Sequence, residues 1–315
     1  MRKSFILGAA AALIAVAGSA AAQVAALGST ARGGTSQVGR TLAAAISEAA
    51  PFQMRPQELA NTADYIPLVN AGEIEFGISN IVQLTYAVNG TGMSEGRPNP
   101  NLKMVARLMP FRNAYIVRKD SDIQSVADLK GKRVPVFADK ALGDYVTKGY
   151  LANAEMTLDD VEGVAVPNFP RMWASFQEGS TDVTIVVVGA GNSREFDATF
   201  GIRYLSLDNS NAAIDRMREF LPQTYSQTLG ADAKIPGIAA DTNVNVFDYT
   251  LWANADVSDE MVYQAVAALW EKESDLIAGG PFWRGFAKED MGMDVGIGYH
   301  PGAIKFFEEK GVWKQ

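Results

Sequence analysis

The run Gly34-Thr35-Ser36-Gln37-Val38-Gly39-Arg40-Thr41 differs at one residue from a phosphate-binding loop, carrying Arg40 where such a loop has lysine. A nucleotide loop cradles phosphates with backbone N–H groups and reaches them with a flexible ammonium, a task for which the planar arginine fork is no substitute. Gly39 and Arg40 also fall inside a helical pattern set by Val38, Leu42, Ala45 and Ile46. The turn proper is therefore Thr30 to Ser36, with Thr35 or Ser36 expected to cap the helix. Its free N–H groups, beside Arg32, Gly33 and Gly34, form a helix start that attracts an anion of any kind.

A second motif, Gly92-Met93-Ser94-Glu95-Gly96, has the spacing of a nucleophile elbow. It lies between Asn89-Gly90 and Arg97-Pro98-Asn99-Pro100, in a loop and not between a strand and a helix. Its serine would need His300, the single histidine, which stands at a helix start where capping is the simpler role. There is no cysteine, so thiol catalysis, disulfides and cysteine-based metal clusters are excluded. No catalytic residue, metal or cofactor is expected, and the chain is not read as an enzyme.

What remains is a set of polar and basic residues at expected loop tips. These are Arg32, Gly33, Gly34, Thr35 and Ser36; Ser79 and Asn80 after a short strand; Arg112; Asp139 and Lys140; Asn168 and Arg171. Arg32 and Arg171, one on each side of a cleft, are the first choices for a charge-assisted contact to a carboxylate. Arg194 sits farther into a helical segment and ranks below them.

The elements that position these tips alternate. A strand at 23–29 runs into the glycine loop; Asp64 and Gly72 bracket a helix; 76–80 is a short strand; 102–120 is long and β-rich. The pattern then restarts with a strand at 133–138, Asp139 as a helix cap, and a helix from about Pro170 with Asn168 as cap. The β-branched run 183–191 reads as a strand of a parallel sheet covered on both faces. A second β-rich stretch, 244–254, precedes a mainly helical end, with Ser258 and His300 as caps. Two α/β units joined by two long β-rich stretches imply two lobes, 23–113 plus 251–315 and 114–250, with a ligand cleft between them.

The chain begins with Arg2 and Lys3, an apolar run from Phe5 to Gly18, and a small-residue site ending at Ala22. This is the pattern of a secretory leader, residues 1–22, shorter in its apolar part than the roughly 20 residues a spanning helix needs. Losing it takes the formal charge from −8 to −10, which disfavours nucleic acid and anionic lipid as partners. The expectation is a monomer in the periplasm.

Several segments resemble the TAXI solute receptors of TRAP transporters: the opening glycine loop, Leu68 to Asn80, Arg118 to Val136 with its Asp-Leu-Lys-Gly-Lys core, and the terminal His300-Pro301-Gly302-Ala303 with Lys310-Gly311-Val312-Trp313. The resemblance implies a type II periplasmic binding protein that captures a small organic anion, such as a carboxylate or a glutamate-like amino acid, and hands it to TRAP membrane subunits. A receptor for an ATP-driven importer, a sensor, and an exported hydrolase are the alternatives.

Overall fold

A computed structural model describes residues 23–313. The proposed leader, 1–22, lies outside the described residues. Strand β1 (Gln23–Thr30) enters helix α1 (Gly33–Ala49), which buries Val38, Leu42, Ala45 and Ile46 on the face the spacing anticipated. Burying Val38, Leu42 or Ile46 is worth about 1.5–3 kcal/mol each, enough to hold a helix with no side-chain cap. The chain returns through β2 (Phe52–Leu59), parallel to β1, then α2 (Thr62–Asn70), β3 (Phe76–Asn80) and α3 (Ile81–Asn89). Asn61 caps α2, and Asp64 closes a capping box from its third position instead of capping the helix itself.

Gly28 of β1 pairs with Gly77 of β3, and aromatic rings take the space their missing side chains leave. A Cβ at Gly77 would stand 2.3 Å from Trp252, and one at Gly28 2.6 Å from Tyr65. Those two rings stack at 6.1 Å, and the Tyr65 hydroxyl donates to the Ile78 carbonyl at 2.6 Å.

Two long strands carry the chain between lobes: β4 (Leu102–Arg118), and a fully or largely buried antiparallel partner near the end of the chain, Thr242–Asn254. Between them lie β5 (Arg133–Val136), α4 (Leu142–Asn153), β6 (Glu162–Ala165), α5 (Phe169–Gln177), β7 (Thr184–Val187), α6 (Gly191–Phe200), β8 (Ile202–Tyr204), α7 (Asn211–Arg218) and β9 (Tyr225–Leu229). The returning strand, Thr242–Asn254, is thus β10. It is followed by α8 (Asp259–Glu271), α9 (Glu273–Ala278) and α10 (Pro301–Lys310).

Partner exchange along the two long strands gives the two-lobe α/β architecture of periplasmic binding proteins. In β10, Tyr249 to Ala253 pair with β3, whereas Thr242 to Val246 pair with β9. In β4, Asn113 to Ile116 pair with β7, and Ile116 to Arg118 with β8. Register shifts in the β4–β10 ladder fall between Tyr249 and Thr250 and again between Leu251 and Trp252, near Pro110, which has no N–H to give a ladder.

Three local expectations need correction. The run at 183–191 is strand only over Thr184–Val187 and pairs antiparallel with β4; continuous β-branching reports burial on both faces, not the direction of the neighbour. Asp139 does not cap α4: Ala141 holds the cap position, and the Asp144 carboxylate accepts the Lys140 N–H at 3.2 Å. Thr35 and Ser36 do not cap α1, because the helix already starts at Gly33.

Candidate functional site

Arg112 stands on β4 where the strand passes between the lobes, facing a cavity of about 390 Å³. One wall is the turn Pro281–Gly285 that follows α9; the opposite wall is the β7–α6 connection, Val187 to Ala190 with Arg194. Leu229 and the segment from Ala233 to Pro236, between β9 and β10, close a third side. Segments distant in sequence therefore meet around one arginine, at the kind of inter-lobe position where ligands bind.

Phe111 organises the floor. Its ring stacks on Phe247 and on Phe282, each at 5.7 Å, and tilts against Tyr249 at 5.1 Å. Phe282 in turn abuts the opening glycine loop: a Cβ at Gly34 would lie 3.6 Å from its ring edge. Gly33 has a φ of +84°, which lets the chain turn sharply into α1 there. The Thr35 hydroxyl, inside the first turn of α1, shares a 2.7 Å hydrogen bond with the Tyr249 hydroxyl. The glycine loop thus touches the cavity wall through Phe282 and β10 through Thr35.

The Arg112 side chain is half-buried and is held by one hydrogen bond, from Nε to Gln227 Oε1 at 2.6 Å. Burial, with the neighbouring Arg107 charge, pushes its pKa below the ordinary arginine value and outweighs the opposing fields of Tyr225 and Asp248. An arginine keeps its charge regardless, so the site carries a cation that the protein leaves without a carboxylate partner among the described residues. Arg194, Lys234 and Arg284 add exposed positive charge around it.

The other expected site residues lie outside the lining of this cavity. Ser79 is fully buried; its hydroxyl donates to the Asn80 carbonyl and accepts the Trp252 indole N–H at 3.1 Å. Asn80 caps α3 through Gln83 N–H at 2.9 Å, and Ser36 is buried in α1. Asn168 caps α5, as expected, by accepting the Arg171 N–H at 2.9 Å. The Arg171 guanidinium is turned to Glu178 one helix-length on, with both terminal nitrogens at 3.0 Å from its carboxylate oxygens. Arg32 is exposed at the start of α1. Asp139 is exposed 3.4 Å from Lys148, and Lys140 reaches across to Glu95, after α3, at 2.6 Å. Near that bridge, Tyr86 of α3 packs on Tyr145 of α4 at 4.9 Å and donates to the Phe220 carbonyl at 2.8 Å. Of the expected site residues Arg112 alone lines this cavity; the glycine loop meets it only through Phe282, and Arg171, Asp139 and Lys140 lie away from it.

Phe111, Phe282, Lys234 and Arg284 were missed from the sequence. The signals were present but weak: Gly280-Pro281-Phe282-Trp283-Arg284-Gly285 is an aromatic turn bounded by glycines, and Lys234-Ile235-Pro236-Gly237 is a turn with Lys234 at positive φ.

The same fold is found in the periplasmic aliphatic sulphonate binding protein SsuA of Escherichia coli, 17% identical, with a TM-score of 0.53 over 82% of this chain and 74% of that one. It recurs in a sulfonate-binding SsuA assigned to a putative ABC transporter of Methylobacillus flagellatus KT, at 15% identity, TM-score 0.52, and 93% and 88% coverage. The binding component of an ABC phosphonate transporter from Pseudomonas aeruginosa is similar at 11% identity, TM-score 0.51, and 82% and 79% coverage. These likenesses establish the fold. Residues 27–311, nearly the whole described chain, match one family along their length, and the protein belongs to the NMT1-like family.

Proposed function

We propose that this protein is an extracytoplasmic solute-binding receptor that captures a small organic anion between its lobes and delivers it to a membrane importer. The observation that carries the reading is Arg112, a partly buried guanidinium without a carboxylate partner among the described residues, facing a cavity lined by both sides of the β4–β10 crossing. Only contacts that differ between open and closed states can shift such an equilibrium, and a charge reached from several segments at once supplies them. The lobes are taken as 23–113 plus 251–315 and 114–250, and the receptor as a non-enzymatic monomer exported by cleavage near Ala22.

An ATP-driven importer is the partner favoured by the similar structures, whose descriptions name ABC transporters. A TRAP-type permease is the second reading, favoured by the terminal run from His300 to Trp313. Thermal-shift screening of the mature chain against organic anions tests the receptor. A ligand at 100 times its Kd should stabilise by about 2.7 kcal/mol, and a flat response to every anion would remove the reading. Uptake into vesicles carrying the permease then separates the partners: dependence on ATP supports the first and dependence on an ion gradient the second.

A further inference from the structure

The cavity around Arg112 is unbalanced in charge and apolar in its walls. Arg112, Arg194, Lys234 and Arg284 all line it, and none of its lining residues carries a carboxylate. The one hydrogen bond that the Arg112 side chain makes among the described residues uses Nε and a neutral acceptor, Gln227. Nη1 packs against Gly285, 3.3 Å from where a Cβ would stand, and neither terminal nitrogen has a hydrogen-bond partner among the described residues. A guanidinium presented this way is geometrically matched to a two-oxygen anionic head. Phe111, Phe282, Val188, Leu229 and Ile235 contribute apolar surface to its walls.

Resting on the receptor reading, we propose that the solute is an organic anion with an apolar aryl or branched-alkyl body and no ammonium group. Its head is held by Arg112 and its body lies against Phe111 and Phe282. An amino acid presents an ammonium group to the same space, where it meets four cations and no carboxylate. That group would lose hydration without gaining a counter-charge, and like charges would raise the cost further. A short dicarboxylate satisfies the cations but leaves the apolar wall uncovered. The cavity, near the lower end of the ~300–1,000 Å³ usual for ligand sites, suits a single small ring or a short branched chain. This departs from the glutamate-like ligand that the sequence resemblance implied.

Calorimetric titration of the mature chain with 3-phenylpropionate, L-phenylalanine, succinate and L-glutamate tests the class, with ethanesulfonate against taurine as the same comparison on a sulfonate head. 3-Phenylpropionate and L-phenylalanine share a body and differ in the ammonium group. The anion without the amine is expected to bind at least about tenfold tighter than its aminated counterpart in one of the two series, and tighter than succinate. Arg112→Gln is expected to weaken that binding about a hundredfold at an unchanged melting temperature, with Arg112→Lys between the two. Equal or tighter binding of the aminated member in both series, or of succinate or L-glutamate, would overturn the ligand class while leaving the receptor in place. Parent-like binding by folded Arg112→Gln would overturn the anchor. Silence of every anion tried would remove the class and the receptor together. The ligand comparison uses the unaltered chain, so it stands even if the Arg112 variants fold poorly.

Discussion

Arg107 and Arg112 lie on the same strand, yet only the first is neutralised by the fold. Arg107 Nε and Nη2 donate to the two carboxylate oxygens of Asp248 on β10, at 2.7 and 2.8 Å, with both side chains buried. The Tyr225 hydroxyl joins them from β9, and Asp290 lies 3.5 Å from Arg107. Asp248 sits opposite Pro110, between the two arginines; it bonds directly to Arg107 and reaches Arg112 only through its field. Removing one partner of a buried pair strands the other charge. Asp248→Asn or Arg107→Met should therefore cost roughly 3–5 kcal/mol of stability, read from denaturant midpoints, whereas a joint apolar replacement of both should cost less than either. If the single variants unfold like the parent, the pair does not hold the crossing.

Arg112 and Arg171 should behave oppositely in binding. Arg171 is exposed and already paired to Glu178 on its own segment, so Arg171→Ala is expected to leave anion affinity within about twofold of the parent. Arg112→Ala should lose roughly 2–5 kcal/mol of binding free energy. Arg32→Ala, an exposed change beside the glycine loop, belongs with Arg171. Titration with one anion that binds the parent ranks all three.

Gly77→Ala should be among the most harmful small changes in the chain. Its methyl group would fall 2.3 Å from the Trp252 ring, which is fully buried and donates its N–H to Ser79 Oγ. Overpacking of this kind costs about 1–3 kcal/mol when neighbours can shift, and more when they cannot. Gly33→Ala has open space but a positive φ, so its loss should be smaller, about 1 kcal/mol. Equal melting temperatures for the two variants would refute the ranking.

His300 should make stability fall on mild acidification. It is buried at the start of α10, where Nδ1 accepts the Gly302 N–H at 3.2 Å. Burial pushes its pKa down, against the pull of Asp259 at 3.6 Å. The unfolded chain therefore takes up the proton first, and stability declines as pH drops below the ordinary histidine value of about 6.5. His300→Asn keeps a capping acceptor and removes the titration. Melting curves from pH 8 to 5.5 should slope for the parent and flatten for the variant.

The Glu95–Lys140 bridge should tune closure and leave the fold intact. Hydrogen bonding to Lys140 holds the Glu95 carboxyl below the usual range, and the same contact raises Lys140. A lowered carboxylate pKa favours the bridge above the ordinary glutamate range, and the bridge is lost as pH falls through the depressed value. Because both groups are exposed, Glu95→Gln should leave the melting temperature unchanged. It should weaken ligand binding modestly, and less so in high salt, where the bridge is already screened. A lower melting temperature without any change in affinity would contradict this.

Local signals in the sequence determined much of the scaffold. The spacing of Val38, Leu42, Ala45 and Ile46 marked the buried face of α1, and Asn168, Ser258 and His300 marked helix starts, because a cap acts within three residues of itself. The β-rich runs around 102–120 and 244–254 were legible as long strands for the same reason: their side chains alone specify burial. Arg112 was visible as one of several basic residues at strand ends, but nothing nearby in sequence told it apart from Arg171 or Arg107. The difference lies in whether a carboxylate arrives in space. Glu178 reaches Arg171 from the same segment, whereas Asp248 reaches Arg107 from 141 residues away. Lys234, Phe282 and Arg284 come to Arg112 by equally long routes. Electrostatic partnership depends on distance and burial after folding, so which charges remain available to a ligand was decided by the tertiary structure.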